Sequence, residues 1–367
     1  MNAGNRSSVT EFILLGFPSS REMQIVYFMV FLLIYILTIA INSLIIIIVR
    51  VEAKLHSPMY FFLSNFAFLE ICYTTTTVPK MLSGFLIEKN VISYRCCIVQ
   101  LCFFFTFGPT EFFLLAVMAY DRYVAICCPL RYGIIMNSRL CKQLAVGSWA
   151  SGFLTSWTLT VPITQLSLCR LNLINHFFCD FLPILKLACS DTTASEAAFF
   201  SLAWTVVLCS LLINSVSYGY IILTIVRIPS STGRRKAFST CASHLTVVVI
   251  FYGTVIFMYV RPTAKYSFDT DKIVSLFYSV ITPLLNPLIY SLRNRDVIKA
   301  LKKTLGGGGA LSGFTDFESF PVSAAVDLKC FREECKAGEE ALDGFLIMSN
   351  TVAPQFTFPP NMVKQQT

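Results

Sequence analysis

The sequence has few charged side chains: Asp, Glu, Lys and Arg make up 14% of its 367 residues, whereas soluble proteins carry about 25%. Hydrophobic residues make up 55%, and the mean hydropathy is +0.66. These numbers exclude collagen-like, coiled-coil and disordered chains. A single soluble core cannot bury so many apolar side chains, so the composition predicts a membrane protein.

Basic residues are not gathered on one surface. The net charge is +8, but Lys and Arg fall in short segments between apolar stretches, which argues against nucleic-acid binding. Lys and Arg are more frequent in the segments that lie inside if the N-terminus is outside. The positive-inside rule therefore predicts an extracellular N-terminus and a cytoplasmic C-terminus.

Seven apolar stretches dominate the chain, and each is long enough to cross about 30 Å of hydrocarbon as a helix. They do not alternate as the strands of a membrane barrel do. The alternative of helices buried in a large soluble protein leaves too little polar sequence to cover them. We predict an all-α membrane protein, a seven-transmembrane helix bundle. The stretches are Met23–Val49, Pro58–Pro79, Cys97–Tyr120, Leu144–Leu168, Ala197–Val226, Ala237–Val260 and Ile273–Leu292.

The stretches divide the chain into four regions. Residues 1–22 form an extracellular N-terminus, in which Asn5 begins the one N-x-Ser/Thr sequon of the sequence, a predicted glycosylation site. Residues 23–292 form the membrane domain. In 293–305 apolar residues recur every four positions, which predicts a short amphipathic helix on the inner leaflet. Four glycines open 306–367, which we expect to be a disordered cytoplasmic tail.

Glu70 and Glu111 lie inside predicted spans, so they must face the bundle interior. Two explanations stay open: each carboxyl group hydrogen-bonds a neighbouring helix, or both form a shared proton or cation site, sodium included, near Asn286. The second explanation admits a transporter or channel as an alternative function, although no repeat relates two halves of the chain. No Ser/His, paired Asp or His-rich metal motif supports an intramembrane enzyme, and no cofactor is expected.

Four short sequence motifs show a resemblance to a known family. The chain resembles the olfactory receptors, within the rhodopsin-like G-protein-coupled receptors, over about Asn5–Leu305. The Pro-Met-Tyr sequence in the first motif is similar to that of the tetrapod-type branch of the olfactory receptors. The motifs are Leu55–Leu63 (LHSPMYFFL), Met118–Cys127 (MAYDRYVAIC), Lys236–His244 (KAFSTCASH) and Asn286–Asn294 (NPLIYSLRN).

The resemblance implies an odorant receptor of the plasma membrane that performs no catalysis. It implies small volatile hydrophobic ligands and a stimulatory, olfactory-type G protein that raises cyclic AMP. It also implies two disulfides, Cys97–Cys179 and Cys169–Cys189. The expected odorant pocket is lined by Phe104, Phe105, Gly108, Leu202, Val206, Val255, Ile256, Tyr259 and Ser279.

The resemblance also assigns roles in signalling. Arg122 is expected to engage the G protein once the cytoplasmic side opens, and Tyr252 to lie below the ligand. Glu70 stands where the family more usually has Asp. The residues expected to act in coupling and activation are Asp121, Arg122, Tyr123, Tyr218, Tyr252, Asn286, Pro287 and Tyr290. The polar core between pocket and G-protein face is expected to contain Asn42, Glu70 and Glu111.

Overall fold

The computed structural model describes residues 10–168, 172–259, 268–293 and 297. Several predictions lie outside these residues: the glycosylation site at Asn5, the partner cysteine Cys169, the amphipathic helix after residue 293 and the tail 306–367. For Tyr259 only the backbone is described.

Helices form the body of the molecule, and each of the seven apolar stretches is helical over most of its length. The last stretch contains a π-helical segment, Phe277–Ile281, between two α-helices. The helices are α1 (Arg21–Val51), α2 (Pro58–Leu86), α3 (Tyr94–Cys127), α4 (Tyr132–Ile135), α5 (Ser138–Thr164), α6 (Phe181–Leu185), α7 (Thr193–Arg227), α8 (Ser231–Tyr259), α9 (Phe268–Leu276) and α10 (Thr282–Arg293).

By length and composition, four helical segments of the described chain are apolar enough to cross a membrane: α1, α3, α7 and Lys272–Tyr290. A shorter apolar segment, Cys241–Ile256, lies in α8. Among the long helices that do not meet this criterion, α2 buries the polar side chains of Glu70, Thr74 and Thr77. The Glu70 carboxyl group accepts a hydrogen bond from Asn286 of α10, so α2 depends on a packing partner at this point.

Side-chain caps set where several helices begin. The hydroxyls of Ser20 and Ser93 and the amide oxygen of Asn137 accept backbone N–H groups in the first turns of α1, α3 and α5. The fourth stretch was predicted to continue to Leu168, which is wrong at its end. Helix α5 stops at Thr164, and Leu168 instead pairs with Ala188 in an isolated β-bridge.

Helix α3 is central, since it contacts α2, α5, α7 and α8. Gly152 in α5 lies directly against it. A Cβ atom at this position would overlap the backbone carbonyl of Thr106 and the hydroxyl of Thr110. Glycine is therefore required here by the close approach of two helices.

A small sheet covers one end of the bundle, which we call the sheet end. Strand β1 (Glu11–Leu14) lies between β2 (Val91–Ser93) and β3 (Leu173–Ile174), antiparallel to β2 and parallel to β3. The predicted all-α bundle is confirmed, but this sheet was not anticipated. It holds the N-terminal segment against two loops.

The predicted disulfide Cys97–Cys179 is confirmed, and its two Cα atoms are 5.5 Å apart. It ties the loop between α5 and α7 to the first turn of α3. Cys189 is also disulfide-bonded, as is Cys96, which the sequence analysis did not single out. The pairing of Cys189 with Cys169 stays a prediction, because Cys169 lies outside the described residues.

Candidate functional site

A cavity of about 120 Å³ lies between the helices near the sheet end. Five of the predicted pocket residues are in its wall: Phe104, Phe105, Gly108, Val206 and Val255. The remaining wall residues come from α2, α3, α5, α7, α8, the seventh span and the loop between α5 and α7. They are Tyr73, Pro109, Phe112, Thr155, Leu159, His176, Asp180, Leu182, Pro183, Lys186, Phe199, Ala203, Val207, Phe251 and Tyr278.

Three other predicted pocket residues are not in the wall. Leu202 and Ile256 are half-buried next to it. Ser279 is fully buried, and its hydroxyl donates to the backbone oxygen of Ser275 at 2.6 Å. The neighbouring Tyr278 takes the place in the wall instead. The side chain of Tyr259 lies outside what the structure describes.

Packed aromatic rings give the cavity rigid apolar walls. The ring of Phe104 stacks on Tyr73 with centroids 5.3 Å apart, and lies 4.8 Å from that of Phe178. Phe105 meets Phe199 edge-on at 5.8 Å, and Phe199 stacks on Phe181 at 4.5 Å. Such pairs add about 0.5–1.5 kcal/mol each beyond their buried area, so the wall is held in one arrangement.

The loop between α5 and α7 supplies polar groups that the sequence analysis missed: His176, Asp180 and Lys186. The loop is fixed in place by the Cys97–Cys179 disulfide. Next to it, the N–H group of Cys179 donates to the side chain of Gln100 at 2.9 Å. The Cys97–Cys179 disulfide implied by the family resemblance was the sequence signal that tied this loop to the third span.

His176 is buried, with 3% of its surface exposed. Its Nδ1 atom accepts the N–H of Phe178 at 3.4 Å, and its ring stacks on Phe177. Burial, with a smaller contribution from the charge of Lys272, lowers the pKa of His176 to about 3, so the ring is neutral at physiological pH. Because Nδ1 accepts, the proton of the neutral ring lies on Nε2. That atom has no hydrogen-bond partner among the described residues.

Below the cavity, an aromatic contact leads into the bundle. The ring of Phe112, a wall residue, meets Tyr252 edge-on at 5.1 Å. The side-chain amide of Asn214 in α7 donates to the Tyr252 hydroxyl at 3.1 Å. Tyr252 therefore lies one layer below the cavity wall and joins α3, α7 and α8.

Glu70, Glu111 and Asn286 meet in the centre of the bundle, and each is at most 2% exposed. The Nδ2 atom of Asn286 donates to Glu70 at 2.5 Å and lies 3.5 Å from Glu111 Oε1. Asn42 donates to the backbone oxygen of Pro283 at 3.3 Å, which joins α1 to α10. Pro287 follows Asn286 inside α10. This geometry is that of hydrogen bonds between helices, and the sodium site stays a prediction.

No group of three His, Cys, Asp or Glu side chains within the described ranges is close enough to hold a metal ion. In the polar core, the two carboxyl groups of Glu70 and Glu111 share the side-chain amide of Asn286.

The end of the bundle opposite the sheet is called the arginine end, after Arg122. Its Nη2 atom lies 3.8 Å from the carboxylate of Asp121, which also accepts the Tyr132 hydroxyl at 2.8 Å. Arg122 is 8% exposed, and Nη2 has no hydrogen-bond partner in the described part of the chain. The guanidinium group is thus buried beside one carboxylate, and its Nη2 donor is not satisfied by a described residue.

A hydrogen-bonded pair of side chains joins three helices at the same end. The Tyr218 hydroxyl of α7 lies 2.7 Å from Nδ1 of His244 in α8, and His244 Nε2 lies 3.1 Å from the backbone oxygen of Leu115 in α3. Tyr290 is buried nearby, with its ring 6.4 Å from that of His244. The ring centroids of Tyr123 and Tyr220 lie 5.7 Å apart. The sequence marks His244 as an ionisable residue inside a span, a weaker functional candidate than Glu70 and Glu111, and does not predict its partners.

Known proteins resemble this chain over most of its length. A family model described as olfactory receptor matches residues 31–307. Olfactory receptor 6B9 of Mus musculus is 51% identical over 306 residues, covering 83% of this chain and 97% of that protein. Olfactory receptor 6F1 of Homo sapiens is 52% identical over 307 residues, covering 84% of this chain and 100% of that protein.

Among solved structures, squid rhodopsin superposes with a TM-score of 0.61 at 15% sequence identity, covering 84% of this chain and 97% of that chain. At this identity the likeness establishes the fold, a seven-helix bundle of the rhodopsin type. The family match and the sequence identities establish more than the fold. The chain belongs to the olfactory receptor family, whose members are multi-pass membrane receptors and not enzymes.

Proposed function

We propose that this receptor binds a small volatile hydrophobic molecule in the cavity and activates a stimulatory G protein, which raises cyclic AMP. The observation that carries the proposal is the aromatic-walled cavity at one end of a bundle whose other end holds Arg122. A continuous set of packed side chains joins the two ends.

The size of the cavity supports a volatile ligand. An apolar cavity of about 150 Å³ in another protein binds benzene, and this one measures about 120 Å³. A ligand here has roughly ten or fewer heavy atoms when the walls adjust little. Its affinity comes mainly from apolar burial, at about 25 cal/mol per Å², against rings such as Phe104 and Phe105.

Helix α8 connects the cavity to the arginine end. It supplies the wall residues Phe251 and Val255, then Tyr252 one layer below, and His244 at the far end. A ligand that displaces Phe112 or Phe251 shifts the position of Tyr252 and with it α8. Movement of α8 away from α3 breaks the bond between His244 and Leu115 and opens the space beside Arg122. The ligand thereby shifts the population from closed to open bundles.

Arg122 is suited to receive the G protein. A guanidinium group stays charged and presents a planar fork of donors to backbone carbonyls. The C-terminal end of an inserting helix carries partial negative charge, which a cation stabilises. This role places the arginine end in the cytoplasm and the sheet end outside, the orientation that the positive-inside rule favours.

One assay separates the receptor from the alternative of a transporter or channel that uses Glu70 and Glu111. Cells expressing the chain are exposed to a panel of volatile compounds while cyclic AMP and membrane current are recorded together. A receptor raises cyclic AMP, and the rise is lost when the stimulatory G protein is removed. A current that appears without the G protein and is lost in Glu111→Gln would establish the alternative.

A further inference from the structure

One polar group in the cavity wall has no partner to explain it. His176 belongs to the wall and is almost fully buried, yet its Nε2 atom makes no hydrogen bond with any described residue. A buried donor without a partner destabilises the fold, and native structures rarely contain one without a function. Nε2 has almost no accessible surface in this arrangement, so its acceptor has to enter with a small shift of the wall, as a ligand in the cavity can.

We propose that the Nε2–H group of His176 is the hydrogen-bond donor that selects the ligand, so that preferred ligands carry a neutral acceptor oxygen, as in a small ketone, aldehyde or ester. This inference rests on the proposed function, because it assigns the ligand class of that same cavity. It adds a polar specificity element from the loop to a site otherwise built of apolar helix side chains.

The other polar wall residues already have partners. The Thr155 hydroxyl donates to the backbone oxygen of Ser151 at 2.8 Å, and Asp180 accepts the N–H of Phe181 at 2.8 Å. The Tyr278 hydroxyl lies 2.9 Å from that of Ser275, and Lys186 and Tyr73 also have interactions of their own. His176 is thus the wall residue, within the described chain, whose donor is left for a ligand.

The charge state of His176 fixes the ligand chemistry. Burial among apolar surroundings, and to a smaller extent the neighbouring ammonium group of Lys272, keep the imidazole neutral. The backbone N–H of Phe178 occupies Nδ1 as donor, so Nε2 can only donate. A neutral donor in an apolar wall favours a neutral acceptor, since a carboxylate would lose its hydration without gaining a counter-charge from this ring.

The expected discrimination follows from the unpaired donor. An isosteric ligand without an acceptor fills the same space but leaves Nε2–H unsatisfied. A site built to bond a polar group rejects such an analogue more strongly than it rejects a change of size. One neutral hydrogen bond corresponds to about tenfold in the concentration that gives half-maximal response.

The test uses pairs of probes that differ by one atom group. The ketones 2-hexanone, 2-heptanone and 2-octanone are compared with 2-methyl-1-hexene, 2-methyl-1-heptene and 2-methyl-1-octene, in which a methylene group replaces the carbonyl oxygen. Cyclic AMP is measured at matched surface density. We expect the wild type to respond to at least one ketone at about tenfold lower concentration than to its alkene.

Two substitutions separate the donor from the loop bond. His176→Asn places its oxygen near Nδ1, so it keeps the acceptor for Phe178 N–H and loses the cavity donor. His176→Gln places an amide N–H near Nε2 and keeps the donor. We expect the ketone preference to fall to about twofold or less in His176→Asn and to persist in His176→Gln.

Each other outcome overturns the inference. Equal potency of ketone and alkene in the wild type shows that no donor in the site selects the carbonyl oxygen. A ketone preference kept in His176→Asn shows that a group other than His176 binds that oxygen. Loss of preference in both variants shows that His176 acts through loop placement alone. Responses confined to volatiles without a neutral acceptor oxygen reject the ligand class while the receptor function stands. A wild type that answers no volatile at all rejects the proposed function itself.

Discussion

The side-chain amide of Asn286 donates a hydrogen bond to the carboxyl group of Glu70, with 2.5 Å between Nδ2 and Oε1. The two residues are 216 positions apart in the sequence, and their bond joins α10 to α2 in the centre of the bundle. Glu111 of α3 lies at the same amide. The contact between α2, α3 and α10 thus depends on the amide of one side chain, that of Asn286.

Asn286→Ala removes this amide and leaves two buried carboxyl groups without it. Because an orphaned buried polar group costs about 1–3 kcal/mol, we expect a melting temperature lower by roughly 2–4 °C per kcal/mol in detergent-purified receptor. Asn65→Ala is the control, since within the described residues the Asn65 amide donates to the backbone of Phe61 in its own helix. Equal melting of the two variants would show that the central amide adds nothing to stability.

Gly152→Ala should destabilise the contact between α3 and α5. The added methyl group overlaps Thr106 and Thr110, and overpacking of this kind costs about 1–3 kcal/mol. Gly147→Ala in the same helix meets nothing within 4 Å. Flow cytometry of intact cells should show less surface receptor for Gly152→Ala and the wild-type amount for Gly147→Ala. Similar surface amounts for both variants would contradict the close approach.

The stability of the receptor should fall in acid because of His176. Its pKa is about 3 in the fold and 6.5 ordinarily, so the unfolded chain binds more protons between these values. The contribution of His176 to the free energy of unfolding is therefore fully present above pH 6.5 and falls with pH below it, by about 2 kcal/mol at pH 5.

Melting curves of purified receptor at pH 7 and pH 5 measure this effect. The decrease should be smaller in His176→Asn, which has no imidazole to protonate. His56→Asn is the control, because His56 is exposed near the arginine end and its removal should leave the decrease as it is in the wild type. An unchanged decrease in His176→Asn would assign the acid sensitivity to other groups.

Val206→Trp should abolish the response to an agonist without lowering surface expression. Val206 is in the cavity wall and 7% exposed, and an indole there fills a cavity of about 120 Å³. Leu212→Trp is the matched control, since Leu212 is in the same helix but 64% exposed on its outer face. Dose–response curves at equal surface density measure both. A wild-type response from Val206→Trp would place the ligand outside this cavity.

Hydropathy predicted the seven helices, because each span has to satisfy its backbone within the segment. It did not predict which side chains of each helix face the cavity. One residue turns a helix by about 100°, so Ala203 reaches the cavity and Leu202 does not. The π-helical turn of Phe277–Ile281 adds a residue to the local turn, and Tyr278 takes the place expected for Ser279.

The loop residues of the site were beyond prediction from periodicity. His176 and Asp180 lie in a segment without regular alternation, and its position depends on Cys97–Cys179 and on Gln100. Strand β1 has four residues, and its partners lie far along the chain. Contacts of this kind depend on tertiary structure, and a local pattern does not encode them.

The central claim is that a ligand in the cavity acts on a G protein through Arg122, and one comparison tests it most directly. Agonist-evoked cyclic AMP is measured for wild type, Arg122→Ala, Arg122→Lys and Arg131→Ala at matched surface density. Arg131 is basic and exposed at the same end, so it controls for loss of charge. We expect both Arg122 variants to lose most of the maximal response, because Lys keeps the charge but lacks the planar fork, and Arg131→Ala to retain it. A full response from Arg122→Ala would contradict the claim and leave Arg122 as an anchor at the membrane surface.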